Sequence, residues 1–181
     1  MLSFTSCHKY FCVFLLAIFI TIIAVSGDQE TQDRIDKICR QMEDYGFCNK
    51  VFNDNLRATS TDFVGLTAIT LDQTIQNATS THQFIVDLLP KTTDPALKNA
   101  LIACENGYRV VQQAFQEAKG FFQHHDYDSV QKSETIAPRA QGSCDTTFIT
   151  PPAPASPLVE RNRQMRILIA MALFTAHQLS P

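Results

Sequence analysis

Apolar residues recur along two long segments of the chain at alternating spacings of four and three residues. The first stripe comprises Val64, Ala68, Leu71, Ile75, Ala78, His82, Ile85 and Leu89, and the second comprises Leu97, Leu101, Cys104, Tyr108, Val111, Phe115, Ala118 and Phe122. This alternation keeps one face of a helix turned towards a neighbouring helix. The two segments are therefore predicted to be long helices of a bundle.

Proline and aspartate mark the ends of these helices. Pro90 is expected to end the first, because proline has no backbone N–H to donate within a helix. Asp94 can cap the second helix, and Pro95 fits its first turn, where a missing N–H is harmless.

Two further helices are predicted in the C-terminal part of the chain. A shorter one fits Asp126 to Ala137, with Pro138 after its end, and the last runs from about Leu158 to Gln178. The stripe of the last helix contains Leu158, Asn162, Met165, Ile169, Ala172 and Ala176. Between these helices, residues 150–157 include four prolines, which favour an extended surface loop. The amide of Asn162 on an apolar stripe could fix the register of the helices.

Upstream, Asp28 to Phe52 is interpreted as two or three short helices broken at Tyr45-Gly46. Cys39 and Cys48 lie close enough in this segment to close a small loop that would limit its unfolded freedom. We therefore expect an all-α fold in which a short N-terminal helical hairpin precedes an up-and-down four-helix bundle.

The first 26 residues have the pattern of a signal peptide. Residues 1–10 carry Lys9, an apolar run follows over residues 11–25, and Ala24-Val25-Ser26 gives small residues at the expected cleavage position. An uncleaved membrane anchor is the alternative, but the apolar run is short for a span of about 20 residues. We expect cleavage, and no membrane association afterwards.

Removal of this leader leaves a domain over residues 27–181, divided into the hairpin at 27–60 and the bundle at 61–181. Four cysteines remain, and an even number in a secreted chain predicts two disulfides with three possible pairings. Their spacing does not fit a zinc site. The cysteines are Cys39, Cys48, Cys104 and Cys144.

Charge and motifs exclude several functions. Loss of Lys9 from 15 basic residues leaves 14 against 18 acidic ones, a formal charge of −4, and no basic cluster that would bind nucleic acid. His124-His125 is interpreted as a solvated helix end, and His82 as a hydrogen-bonded core residue. No nucleophile elbow, phosphate-binding loop or HExxH motif occurs, so we expect neither an enzyme nor a bound cofactor or metal. Asn77-Ala78-Thr79 is a glycosylation sequon.

An ordered series of short motifs resembles the plant invertase and pectin methylesterase inhibitor family over roughly residues 31–179. The motifs are Cys39-x8-Cys48, Asp94-Pro95-Ala96-Leu97-Lys98, Cys104 with Tyr108, Asp126-Tyr127, Cys144-Asp145 with Phe148, and Ser156-Pro157-Leu158 with Arg161-Asn162. The resemblance implies the pairs Cys39–Cys48 and Cys104–Cys144, a hairpin leading into a four-helix bundle, and a protein of the cell wall or vacuole.

The same resemblance implies inhibition either of pectin methylesterase, by covering its substrate cleft, or of acid invertase. Invertase inhibitors of this family carry a Pro-Lys-Phe motif where this chain has Tyr127, Asp128 and Ser129. An aspartate in place of the lysine favours pectin methylesterase as the target. A carrier of apolar ligands or a family member with another role is the alternative from a different class, but the bulky residues of the stripes favour a filled core.

A polar row on the second long helix is the predicted target-binding site. Its residues are spaced four, three and four apart and so share one face, and two aspartates follow at the turn. The row comprises Gln112, Gln116, Lys119 and Gln123, followed by Asp126 and Asp128. We expect a monomer that forms a 1:1 complex with its protein target.

Overall fold

Seven α-helices and no strand occur in the residues that the structure, a computed structural model, describes: 29–58, 60–151 and 153–179. They are α1 (residues 29–39), α2 (Tyr45–Asn55), α3 (Phe63–Leu88), α4 (Pro95–Gln123), α5 (Tyr127–Glu134), α6 (Ala137–Thr147) and α7 (Val159–His177). The expected signal peptide lies outside these ranges. None of the helices within them is both long and apolar enough to cross a membrane.

Helices α3, α4 and α7 form three members of a four-helix bundle, and α5 with α6 forms the fourth. Helix α4 packs against α3 on one side and against α5 and α6 on the other, while α7 closes the bundle against α3. The predicted stripe of α4 is buried from Leu101 to Ala118, and that of α7 is buried from Leu158 to Ala176. The predicted all-α hairpin and bundle are confirmed.

Aspartate begins four of the helices. Each aspartate accepts a hydrogen bond from a backbone N–H two or three residues further on, which satisfies a donor that has no partner inside the helix. These caps are Asp44 for α2, Asp62 for α3, Asp94 for α4 and Asp126 for α5. The predicted cap of α4, with Pro95 in its first turn, is confirmed. Helix α3 ends at Leu88, and Pro90 lies in the short 3-10 helix that follows.

The third bundle member differs from its prediction. We expected one helix that ends before Pro138, but α5 ends at Glu134 and Pro138 lies in the first turn of α6. Proline is tolerated there because the first N–H groups of a helix have no partner. Helix α6 approaches α4 closely at Gly107, where an added Cβ would lie 2.6 Å from the carbonyl oxygen of Ala140.

The break in the N-terminal hairpin also lies earlier than predicted. Helix α1 ends at residue 39, and Tyr45 and Gly46 are the first residues of α2 rather than the break. The side chain of Asp44 accepts a hydrogen bond from the Phe47 N–H at 2.9 Å, and this cap sets the start of α2.

The hairpin packs on the bundle through a second apolar cluster. The disulfide Cys39–Cys48 joins α1 to α2 within this cluster, and the pairing is the one that the family resemblance implied. Its members are Ile35, Ile38, Cys39, Cys48 and Phe52 of the hairpin with Leu66, Ile167, Leu168 and Met171 of the bundle. At its edge, Arg163 donates to Asp44 at 2.8 Å and Arg166 pairs with Glu43 at 3.2 Å.

A buried polar junction lies where α4, α6 and α7 meet. The Tyr108 hydroxyl donates to Oδ1 of Asn162 at 2.8 Å, and Nδ2 of Asn162 donates to Oδ1 of Asp145 at 2.6 Å. The disulfide Cys104–Cys144 joins α4 to α6 at the same level, with Asn162 Nδ2 3.4 Å from the Cys144 sulfur. Burial raises the pKa of Tyr108, so its hydroxyl keeps the proton that it donates.

Buried threonines contribute to the contact between α3 and α7. Thr67, Thr70, Thr74 and Thr175 are fully buried, and each hydroxyl donates to a carbonyl three or four residues earlier in its own helix. The hydroxyls of Thr70 and Thr175 also lie 3.0 Å apart across the interface. These side chains are therefore packed and satisfied, although they lie outside the apolar stripe predicted for α3.

Glu134 is a buried acid at the end of α5. Its side chain is fully inaccessible to solvent, and neither carboxyl oxygen has a hydrogen-bond partner in the described structure. Burial disfavours the charged form and raises the pKa of this group to about 8.

Removal of the Tyr108 hydroxyl should destabilise the bundle. Tyr108→Phe leaves Oδ1 of Asn162 without its donor, and we expect the free energy of unfolding to fall by about 2 kcal/mol. Urea unfolding followed by circular dichroism measures this loss. Tyr45→Phe removes an exposed hydroxyl and should cost much less. Equal losses in the two variants would contradict the importance of the junction.

The stability of the protein should fall as the pH rises above the ordinary pKa of a glutamate side chain. Between pH 4.5 and about 8 the folded chain keeps the proton of Glu134, whereas the unfolded chain releases it. The free energy of unfolding should therefore fall by about 1.4 kcal/mol per pH unit within this window. Urea unfolding across the window tests this. Glu134→Gln should remove that decrease, and Glu117→Gln on the exposed surface of α4 should retain it.

Candidate target-binding surface

The predicted polar row lies on the edge of α4 that is nearest to α3. Gln112 donates to the Thr79 hydroxyl of α3 at 2.9 Å, and the Lys119 ammonium lies 2.7 Å from Oδ1 of Asp72. Two of the four side chains of the row are thus engaged across the seam between the helices. Gln116 lies between them and is exposed, as is Gln123 at the end of α4.

Helix α3 carries a second polar ridge beside this row, which sequence reasoning did not identify. Its residues have the same spacing of four, three and four as the row on α4. The ridge comprises Asp72, Gln76, Thr79 and Gln83. Because contacts join Asp72 to Lys119 and Thr79 to Gln112, the exposed Gln76 lies level with Gln116. The two ridges, which together we call the double ridge, form one surface, and their shared spacing was the signal available in the sequence.

The double ridge is polar and nearly balanced in charge. Asp72 faces both Lys119 and Arg57, whose guanidinium lies 3.9 Å away. Towards the other end of the seam, Nε2 of His82 lies 2.9 Å from Oε1 of Glu105. His82 is hydrogen-bonded as predicted but is partly exposed at the seam rather than enclosed in the core.

The turn after α4 presents the two predicted aspartates. His125 has a left-handed backbone with φ 58°, which reverses the chain direction before α5. Asp126 is exposed and accepts a hydrogen bond from the Ser129 N–H at 3.2 Å. The side-chain and backbone hydrogen bonds from Ser129 lower the pKa of Asp126. Asp128 is exposed in the first turn of α5, where a carboxylate stabilises the positive end of the helix dipole.

The residues in place of the Pro-Lys-Phe motif belong to this first turn. Tyr127 packs against Phe122 with ring centroids 6.0 Å apart, and its hydroxyl lies 3.1 Å from Nδ1 of His125. The tyrosine is thus held against the end of α4, and Asp128 is the charged group that the turn presents.

Exposed apolar side chains also lie near the hairpin and near the proline-rich connection. Tyr45 at the start of α2 is 45% exposed, with its hydroxyl donating to Asp36 at 2.7 Å. Ile149 and Val159 flank the proline-rich connection and are 75% and 68% exposed. Among the described residues of that connection, none is helical.

No group of three or more histidine, cysteine or acidic side chains in the described part of the chain is arranged to hold a metal ion.

Asn77 points to a different side of α3 from Thr79 of the double ridge. It is on the side of α3 that faces α7, where its Nδ2 donates to Oε1 of Gln164 at 3.4 Å. The predicted glycosylation residue and the predicted contact residues therefore occupy different faces of the bundle.

Comparison with known proteins identifies relatives of the whole bundle. The family model described as plant invertase/pectin methylesterase inhibitor matches residues 33–174. A pectinesterase inhibitor of Actinidia deliciosa is 24% identical over 178 residues, which cover 98% of this chain and 96% of the relative. The cell wall / vacuolar inhibitor of fructosidase 2 of Arabidopsis thaliana is 26% identical over 156 residues, covering 84% of this chain and 87% of the relative.

A solved structure shares the fold. The crystal structure of mutant form A of a pectin methylesterase inhibitor from Arabidopsis has a TM-score of 0.71 to this chain at 21% sequence identity. The likeness covers 81% of this chain and 97% of the other. The hairpin and four-helix bundle are therefore also found in that protein.

Two substitutions at Asp126 should separate its capping role from a contact role. Asp126→Ala removes the acceptor for the Ser129 N–H and should lower the midpoint of urea unfolding, whereas Asp126→Asn keeps a good cap and should leave it almost unchanged. Equal midpoints for the two variants would show that the cap does not stabilise α5. If target inhibition weakens in both variants, the carboxylate itself contributes to the contact.

Proposed function

The chain belongs to the plant invertase/pectin methylesterase inhibitor family, and on this basis we propose that it is a secreted inhibitor of pectin methylesterase that covers the enzyme's substrate cleft. The observation that supports this target most directly is the double ridge on α3 and α4. Its exposed members at the centre are the amides of Gln76 and Gln116, and its charged residues are paired.

Such a surface suits a cleft that binds a polysaccharide. Amides donate and accept hydrogen bonds, so Gln76, Gln116 and Gln123 can pair with the polar side chains that would otherwise bind sugar hydroxyl and carboxyl groups. The contacts of Gln112 and Lys119 with α3 hold the neighbouring positions in place before binding. A preorganised surface loses less conformational entropy on association, which favours tight inhibition.

The acidic residues at the turn favour pectin methylesterase over invertase as the target of inhibition. Asp128 stands where invertase inhibitors of this family have a lysine, and its carboxylate would face any carboxylate of the invertase site with like charge. Acid invertase remains the second candidate, because the fructosidase inhibitor of Arabidopsis thaliana is among the relatives. A carrier function has less support, since Tyr108 and Phe115 fill the centre of the bundle and are fully buried.

We further propose that the protein acts as a monomer in a 1:1 complex in the cell wall or apoplast, with the vacuole as the alternative location. The expected signal peptide would bring it into the secretory pathway. No cofactor is required for an inhibitor that acts by steric coverage, and its target is a protein.

Negative charge on the double ridge should weaken inhibition. We expect Gln116→Glu with Gln123→Glu to raise the inhibition constant for pectin methylesterase at least tenfold, because two new carboxylates would lose their water on binding without a cationic partner on the ridge. Enzyme assays with the purified, oxidised inhibitor at acidic and neutral pH measure this change. Thermal unfolding should show an unchanged fold, since both positions are exposed.

A matched variant places the same charge elsewhere. Gln29→Glu with Gln41→Glu adds two carboxylates at exposed positions of the hairpin and should leave the inhibition constant within about twofold of the wild type, the effect expected of a distant surface change. Loss of inhibition in this variant alone would assign the contact to the hairpin around Tyr45. Parallel assays against an acid invertase decide the target, and inhibition of invertase alone would refute our proposal.

A further inference from the structure

The sequon Asn77-Ala78-Thr79 lies in the middle of α3, and its asparagine faces a groove instead of open solvent. Nδ2 of Asn77 makes a long hydrogen bond of 3.4 Å to Oε1 of Gln164 in α7. Oδ1 of Asn77 is buried and has no hydrogen-bond partner in the described structure. An amide oxygen in this condition costs free energy, and it indicates that the side chain's surroundings are incomplete.

The groove beside Asn77 lies between the hairpin and the bundle and has a volume of about 320 Å³. Its apolar wall is formed by Phe47 and Val51 of α2 with Leu168 of α7. Its polar lining consists of Gln73, Gln76 and Ser80 of α3 with Gln164 of α7. An aromatic ring opposite several amides is a suitable environment for a sugar ring, which has apolar C–H faces and a polar rim.

We propose that Asn77 carries an N-linked glycan whose first N-acetylglucosamine lies in this groove and holds α2 against α3 and α7. The C–H face of the sugar packs against Phe47 and Val51. Its hydroxyl and acetamido groups bond to the glutamine amides of the lining. The glycan thereby bridges the hairpin and the bundle at a place where the protein alone leaves space.

The chemistry of attachment is consistent with the contacts of the amide. Nδ2 of Asn77 forms a bond to the anomeric carbon of a lipid-pyrophosphate-linked oligosaccharide, the bond from that carbon to the pyrophosphate oxygen breaks, and one amide proton is lost. The product is a secondary amide that keeps one N–H, which can still donate to Gln164. The oligosaccharide is transferred before α3 folds, because the half-buried amide of Asn77 in the packed helix would be inaccessible to the transferase.

The position of the glycan leaves the seam between α3 and α4 uncovered and borders the double ridge at Gln76. Residues two apart on a helix point about 200° away from one another. Thr79 accordingly contacts Gln112 of α4, whereas Asn77 contacts Gln164 of α7. A glycan at Asn77 therefore points away from Thr79 and from the seam with α4, although its groove shares Gln76 with the double ridge. The present inference does not depend on the proposed target.

Expression of the full chain in a eukaryotic secretory host tests the modification. Intact mass and peptide mapping should show a glycan at Asn77 in the wild type and in Thr79→Ser, which preserves the sequon. Both Asn77→Gln and Thr79→Ala should lack it. A wild-type protein with unmodified Asn77 would overturn the proposal.

Removal of the glycan tests its placement. Peptide-N-glycosidase should release it slowly from the native protein and rapidly after denaturation, because its first sugar is covered by the groove. The unglycosylated protein from a bacterial host, refolded with both disulfides, should melt about 3 °C lower than the glycosylated form.

A variant of the groove wall provides the control for this shift. In Phe47→Ala the apolar wall is lost, so the glycosylated and unglycosylated forms should melt at nearly the same temperature. Equal release rates from native and denatured protein, or a melting difference that Phe47→Ala leaves intact, would show a glycan that projects into solvent and would overturn the proposed placement.

Discussion

Within the core, the amide of Asn162 in α7 joins two other helices, because it accepts a hydrogen bond from Tyr108 of α4 and donates one to Asp145 of α6. A buried amide that loses either partner bears the full cost of desolvation, so sliding α7 along the bundle is strongly opposed. The disulfide Cys104–Cys144 fixes α4 against α6 at the same level. Covalent and polar constraints thus coincide and set the register of three helices.

The position of the functional surface follows from that register. Helix α3 is placed against α7 by the threonine contact between Thr70 and Thr175, and against α4 by the pairs at Lys119 and Gln112. A shift of one turn in either helix would separate these pairs and bring Gln76 out of level with Gln116. The double ridge is therefore a consequence of core packing, although none of its central residues is in the core.

Much of the bundle could be predicted because its largest helices bury apolar residues at helical spacing. The α4 stripe from Leu101 to Ala118 is the clearest case. Helix α6 was not predicted, since its sequence lacks an apolar stripe and Pro138 resembles a terminator. The buried threonines of α3 were not predicted, because a search for apolar stripes treats threonine as polar. In a helix, however, the threonine hydroxyl can donate to a backbone carbonyl of the preceding turn, so the side chain can be buried. The polar row on α4 could be identified from the sequence alone. The polar ridge on α3 could not be matched to it, because this needs the register in which the two helices pack.

The disulfide between α4 and α6 has a further consequence for the durability of the molecule. Cys104 and Cys144 are 40 residues apart, and the turn at His125 and the whole of α5 lie within the loop that they close. A protease that cuts once in this loop produces two chains that remain covalently joined at the centre of the bundle. Such a nicked molecule cannot lose either piece by dissociation, and its apolar stripes stay opposed to one another. The exposed turn at His125, beside the double ridge, is therefore one where a single cleavage leaves the molecule in one covalent piece.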